Sequence, residues 1–152
     1  MVETVRLRIV PLTLEQLRLY LLEDFSFENE MGLEHYPRLV PPPLRVAIEE
    51  RTIQNLISFP EHHLYYTHWN VIDKIINTTV AGIIFKGPPN EEGIVEIGYG
   101  TLSDFTGKKY MQETVRAMCE WLFLQENVKK VTEDTAPDNL ASQKILLNNG
   151  FV

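Results

Sequence analysis

The segment Ser103-Asp104-Phe105-Thr106-Gly107, with Lys108 and Lys109 after it, sits where one hydrophobic pattern stops and another begins. Before it, Ile94, Val95, Ile97 and Tyr99 are β-branched or aromatic, and Gly98 and Gly100 leave backbone uncovered, as in a strand that something approaches closely. After it, Met111, Val115, Met118 and Leu122 recur at helical spacing on one face. A strand, a glycine-bearing bend and a helix together make a device for holding phosphate. Unpaired backbone N–H groups cluster at the helix start, where the helix dipole favours negative charge. A Walker-type loop is excluded, because Lys108 is followed by Lys109 rather than Ser or Thr and Leu102 stands where the first glycine would be.

Other chemistry-bearing residues carry weaker signals. His62, His63 and His68 have no acidic or cysteine partner at ligand spacing, so no metal site is expected. Cys119 is the only cysteine, which rules out an internal disulfide and a thiolate cluster. It lies beside the apolar face of the long helix pattern and reads as a buried thiol rather than a nucleophile. Tyr65, Tyr66 and Trp69 read as sheet-packing residues, and Glu91-Glu92 as a solvated hairpin tip.

The elements that must position the bend follow in order. Val5, Leu7 and Ile9 alternate with Arg6 and Arg8, a strand with one buried face. Thr13 with Gln16 forms a capping box ahead of Leu14, Leu17, Leu21 and Leu22, which predicts a helix from Leu14 to about Glu23. Residues Asp24 to Pro43 show no clear period. Their aromatics, Phe25, Phe27 and Tyr36 among them, suit loop packing better than a pocket. Pro41-Pro42-Pro43 then starts a helix over Leu44–Ser58, with Val46, Ile53, Leu56 and Ile57 expected on its inner face, and Pro60 closes it. Strands are predicted over Leu64–Ile72 and Thr79–Phe85, joined by a turn at Asp73–Asn77. The Gly87–Gly93 turn leads back to the Ile94 strand, giving an antiparallel meander. A strand over Val128–Ala136 and a helix starting at Pro137-Asp138 complete the pattern, with Gly150 ending that helix.

Composition bounds the function. The chain has 152 residues, enough for one domain with a real core, and no repeat or linker divides it. Its 14 Lys and Arg against 21 Asp and Glu give a net charge of −7, which disfavours a non-specific nucleic-acid binder. No apolar run reaches membrane-spanning length and the N-terminus lacks the apolar core of a signal peptide. A cytoplasmic location is therefore expected, with no membrane partner.

Three runs taken together carry a resemblance: Glu-Ile-Gly-Tyr-Gly at Glu96–Gly100, L-x-x-F-x-G-K-x-Y-M-x-E from Leu102 to Glu113, and N-x-x-S…N-G-F from Asn139 to Phe151. They resemble the GNAT superfamily of N-acetyltransferases, and within it the ribosomal-protein N-acetyltransferase-like branch. The resemblance covers nearly the whole chain. It implies an α+β fold: a three-layer α/β/α arrangement around a mixed, mostly antiparallel sheet. In the family's phosphate signature, Q/R-x-x-G-x-G/A, this chain has Asp104, Gly107 and Lys109, so only the middle position matches. A side chain at Lys109 could crowd a pyrophosphate, or its ammonium could pair with it. Backbone donors do not depend on the side chain.

The resemblance implies acetyl-CoA as co-substrate, an amine acceptor and no metal. Backbone groups at Thr101 and Leu102 would hold the pantetheine amides. The N–H groups of Phe105, Thr106, Gly107, Lys108, Lys109 and Tyr110 would hold the pyrophosphate. Asn139 would grip the pantetheine arm and Ser142 would face the sulfur. Glu96, directly or through water, would take the proton from the attacking amine. A lysine amine, with a pKa of about 10.4, needs a strong base, whereas an α-amine near 7.7–8.0 needs much less help. The expected function is transfer of acetyl to a primary amine, a protein N-terminus or a small amine. The rival is a non-catalytic acyl-CoA-binding or protein-interaction module on the same scaffold. The family continues past Asn-Gly-Phe with a strand hairpin. Here the chain, read as one domain over residues 1–152, stops at Val152. The C-terminal hairpin is thus expected to be missing, and either the chain is truncated or the uncovered sheet edge pairs in a homodimer.

Overall fold

The computed structural model describes residues 1–133. Six strands form one sheet in sequence order: β1 (Val2–Glu3), β2 (Leu7–Pro11), β3 (His68–Asp73), β4 (Thr78–Phe85), β5 (Ile94–Thr101) and β6 (Lys130–Thr132). Every neighbouring pair is antiparallel except β5 and β6, which run parallel through Ile94↔Lys130, Val95↔Val131 and Glu96↔Thr132. A parallel step needs a crossover, and the helix α6 (Tyr110–Phe123) provides it. The β3–β4 turn is built by Asp73, whose carboxylate accepts the N–H groups of Ile75 and Ile76 at 2.8 and 3.3 Å.

Helices cover both faces. On one side α6 buries Met111, Val115, Met118 and Leu122 against Leu7, Ile9, Val71 and Ile97. Each such side chain contributes about 1.5–3 kcal/mol of burial. Trp69, Phe85 and Trp121 close this core as an aromatic group, with Phe85 and Trp121 stacked at 5.8 Å. On the other side lie α1 (Leu14–Leu22), α2 (Ser26–Met31), α3 (Pro42–Ala47) and α4 (Ile53–Ser58), around Leu12, Leu17, Phe27, Ile48, Leu56 and Ile72. The architecture is the expected α+β one.

Local expectations hold where the signal is local. The α1 capping box forms in both directions, Gln16 N–H to Thr13 Oγ1 at 3.1 Å and Thr13 N–H to Gln16 Oε1 at 3.0 Å. Three expectations are corrected. The segment after Asp24 is not simply loop, because Ser26–Met31 is helical and buries Phe27 and Glu28. The helix over residues 42–58 is interrupted by a π turn at Ile48–Thr52. Its extra residue shifts the phase, so Ile48, Ile53 and Leu56 face inward while Val46 and Ile57 stay exposed. Leu64–Tyr66 is not strand. Pro60 opens a 3₁₀ turn that runs into α5 (His63–Tyr66), and β3 begins only at His68.

Among the described residues no group of His, Cys, Asp and Glu could hold a metal, and no helix is long and apolar enough to cross a membrane. Cys119 is a free, half-buried thiol, and burial with Glu120 beside it pushes its pKa up to about 11. The expected Val128–Ala136 strand begins only at Lys130 and does not include Glu133; the rest of that segment, the expected Pro137 helix, the missing hairpin and the exposed edge lie outside the described residues.

Candidate functional site

The bend after β5 takes a defined shape. Ser103–Phe105 forms a 3₁₀ turn, Thr106 is extended, and Gly107 and Lys109 both adopt left-handed backbone with φ of 80° and 63°. Lys109 is the residue immediately before α6. Among the described residues, the backbone N–H groups of Gly107, Lys108, Lys109, Tyr110 and Met111 have no protein acceptor. The donor set is narrower than the sequence suggests. Phe105 N–H is bonded to Leu102 O at 2.8 Å, and Thr106 N–H lies on Ser103 O at 3.5 Å. Leu102 N–H is also engaged, on Val80 O at 3.0 Å. Thr101, the last residue of β5, pairs with Ala81.

Residues distant in sequence hold the bend. Arg6 donates from Nη1 to Lys108 O at 3.0 Å and from Nε to Glu113 Oε1 at 2.7 Å, and its guanidinium lies 4.6 Å from the Tyr110 ring centre. The Thr4 hydroxyl donates to the other Glu113 oxygen. Burial pushes the Glu113 carboxyl up, but Thr4 and Arg6 outweigh it and hold it below its usual range. Tyr110 itself is tied by its hydroxyl to Asp73 Oδ2 at 2.6 Å. On the other flank the Tyr36 hydroxyl donates to Asp104, and its ring packs on Phe105 at 5.2 Å. The Asp104 carboxylate raises the Tyr36 phenol pKa. The acid at the first signature position is thus bonded to Tyr36, while Gly107, Lys108 and Lys109 are exposed. Neither Arg6 nor Tyr36 was singled out by the sequence. The alternation of Arg6 with Leu7 marked only an outward-facing position.

Lys109 occupies a conformation that disfavours a Cβ by about 1–2 kcal/mol. Lys109→Gly is therefore expected to raise unfolding stability by about 1 kcal/mol, after allowing for the greater chain freedom of glycine when unfolded. Chemical denaturation of the two proteins measures it.

Glu96 sits on β5, half-buried, with the Nζ of Lys86, the residue just past β4, at 2.6 Å from its Oε2. It points away from Val95 and Ile97, toward the face carrying α1 to α4. The other sequence-derived residues, Asn139 and Ser142, lie outside the described residues.

That same face holds a buried polar group the sequence did not mark. His68 is 3% exposed, and neither ring nitrogen has a hydrogen-bond partner among the described residues. The ring lies against β4, where a Cβ on Gly82 would be 2.5 Å from His68 Nε2. Tyr20 of α1 packs on it at 5.2 Å, and the buried Arg38, paired with Glu28, adds positive charge nearby. Burial, then Arg38, push the His68 pKa down to about 4. The unfolded chain, near 6.5, takes up the proton first. The stability due to neutral His68 is therefore complete above pH 6.5 and falls as pH drops toward 4, by about 3 kcal/mol in all. Urea unfolding at pH 7 and pH 4.5 should show this loss, and His68→Asn should remove that part of the slope.

The family model described as an acetyltransferase (GNAT) domain matches residues 6–152. The Bacillus subtilis (strain 168) protein described as "uncharacterized N-acetyltransferase YjdG" is 33% identical over 87 residues, 57% of this chain and 52% of its own length. The match thus spans about half of that relative. The crystal structure of ribosomal-protein-S5-alanine acetyltransferase from Vibrio fischeri aligns over 99% of this chain and 81% of its own, with a TM-score of 0.69 at 18% identity. RimL, a ribosomal L7/L12 α-N-protein acetyltransferase solved with coenzyme A, aligns over 97% and 80%, with a TM-score of 0.66 at 13% identity. At these identities the two structures establish the likeness of fold.

Proposed function

The chain belongs to the acetyltransferase (GNAT) family, and from that premise we propose that it transfers the acetyl group of acetyl-CoA to a primary amine, either a protein N-terminus or a small amine. The observation that carries this is the run of N–H groups from Gly107 to Met111, at the start of α6, with no acceptor among the described residues. Such donors, aided by the helix dipole, suit a pyrophosphate. Lys108 and Lys109 add charge beside them without entering the hydrogen-bonded backbone, as both side chains are exposed. The relatives solved with coenzyme A or named as ribosomal-protein acetyltransferases support the same direction.

Acetyl-CoA would supply an activated acyl group. The residues of this chain would hold it and manage one proton. Gly107, Lys108, Lys109, Tyr110 and Met111 would bind the pyrophosphate through their N–H groups. Thr101 and Leu102 would border the pantetheine arm. We assign Asn139 to that arm and Ser142 to a hydrogen bond with the departing sulfur. Glu96 would accept the proton that the attacking amine loses. The acceptor is better read as an α-amine than as a lysine, since no powerful base stands at the site among the described residues and an α-amine is already partly neutral near pH 7.7–8.0. A cytoplasmic site of action is proposed with it.

One observation favours the second possibility, a module that binds acyl-CoA without catalysis. Glu96 is already paired to Lys86 at 2.6 Å. Calorimetry with acetyl-CoA, followed by free-thiol release over a panel of α-amines and lysine amines, separates the two. Binding with thiol release dependent on an amine is expected. Binding with no release for any amine would favour the module, and no binding would remove both.

A further inference from the structure

We infer that the pocket between the π turn and β4 binds the carboxylate of the acceptor, so that the substrate is an amine whose other end is an acid; this rests on the acetyl-transfer function proposed above. The pocket has a volume of about 210 Å³ and is lined by Arg51, Thr52, Asn55, His68, Ile84 and Lys86 among others. Among the described residues no aspartate or glutamate lines it.

Two of its polar groups, His68 and Arg51, have no acceptor among the described residues. His68, at 3% exposure, has two unpartnered nitrogens, and as a neutral ring it offers one N–H. A buried polar group with no partner is rare enough to need a reason. Arg51 is exposed at the rim and has no ion pair among the described residues. Arg45, on the preceding turns, is by contrast held by Glu23 and Glu49. In a chain with 21 acids, an arginine facing a pocket without one is poised for an anion from outside. The π turn at Ile48–Thr52 puts Arg51 and Thr52 there together, and such turns are frequent at functional sites.

Carboxylate fits these groups best. A guanidinium fork takes a planar oxyanion in two parallel hydrogen bonds, and the Asn55 amide and Thr52 hydroxyl can complete its shell. Ile84 gives an apolar wall for a short methylene stem. Lys86 links the pocket to the base, since its ammonium pairs with Glu96 at 2.6 Å. An acid seated beside Lys86 would compete for that ammonium, leaving Glu96 freer to accept a proton from the amine at the other end.

Full-length protein carrying ¹⁵N-labelled histidine tests this without relying on turnover. Succinate, which has no amine, should move the His68 ring signals at millimolar concentration, the assignment coming from their loss in His68→Asn. Succinamide should leave them in place, and Arg51→Met should weaken the succinate response at least tenfold. No response to succinate, an equal response to succinamide, an unchanged response in Arg51→Met, or one matched by inorganic phosphate would overturn the assignment. Calorimetry with acetyl-CoA on the same sample reports separately on the proposed function.

Discussion

Lys108→Glu combined with Lys109→Glu is expected to weaken acetyl-CoA binding about a hundredfold while leaving the fold as stable as before. Each substitution reverses one charge beside a doubly charged pyrophosphate. At separations of about 7 Å in an aqueous dielectric, such a reversal is worth roughly 2–3 kcal/mol before salt screening, and screening roughly halves the sum for two. About 2–3 kcal/mol of lost affinity corresponds to roughly two decades. Stability should not fall, because both side chains are exposed and the bend is held through other groups. Arg6 bonds to the backbone carbonyl of Lys108, which the substitution retains. Acids at a helix start interact favourably with its dipole, by about 0.3–1 kcal/mol each. Calorimetry and thermal unfolding on the same variant give both values. Unchanged affinity in a folded variant would place the nucleotide elsewhere.

Arg38→Met is expected to cost about 3–5 kcal/mol of folding stability. Arg38 and Glu28 each have side chains only 3% exposed and meet at 2.9 Å. Arg38 also donates from Nη1 to Tyr20 O at 2.9 Å, and its guanidinium lies 3.9 Å from the Tyr20 ring centre. Methionine fills a similar volume, so the loss would come chiefly from Glu28, left charged and unpaired inside the protein. The double variant Arg38→Met/Glu28→Leu should recover most of it, since apolar replacement of a whole buried pair is often neutral or stabilising. Urea midpoints of the wild type, both single variants and the double variant complete the cycle. A single-variant loss below about 1 kcal/mol would mean the pair is not structurally important.

How much of this was legible in the sequence depended on the range of each interaction. The α1 cap was readable because Thr13 and Gln16 are three residues apart and satisfy each other. The buried face of α6 was readable because Met111, Val115, Met118 and Leu122 repeat within one helix. The α2 helix was not, since Ser26–Met31 is too short to show a period. The π turn defeated the helical phase at Val46 and Ile57, because an inserted residue leaves no mark in composition. Leu64–Tyr66 carried aromatic residues that suit a strand, yet the turn opened by Pro60 decided their backbone.

At the site the division is the same. The bend itself was visible from Gly107 and the change of period around it. Its supports were not, because Arg6 meets Glu113 across 107 positions and Tyr36 meets Asp104 across 68. Glu96 could be singled out by resemblance, but its pairing with Lys86 is set by hairpin register. The isolation of His68 is a property of what surrounds it, and no spacing encodes it.

The most direct test is a titration of ¹⁵N-labelled protein with acetyl-CoA, followed by amide chemical shifts. Saturable, downfield displacement centred on the N–H groups of Gly107, Lys108, Lys109, Tyr110 and Met111 is expected, with those of Phe105 and Leu102 moving little because they are already bonded. Binding that leaves these five unmoved, or no binding at all, would contradict the assignment of the α6 start as the nucleotide site.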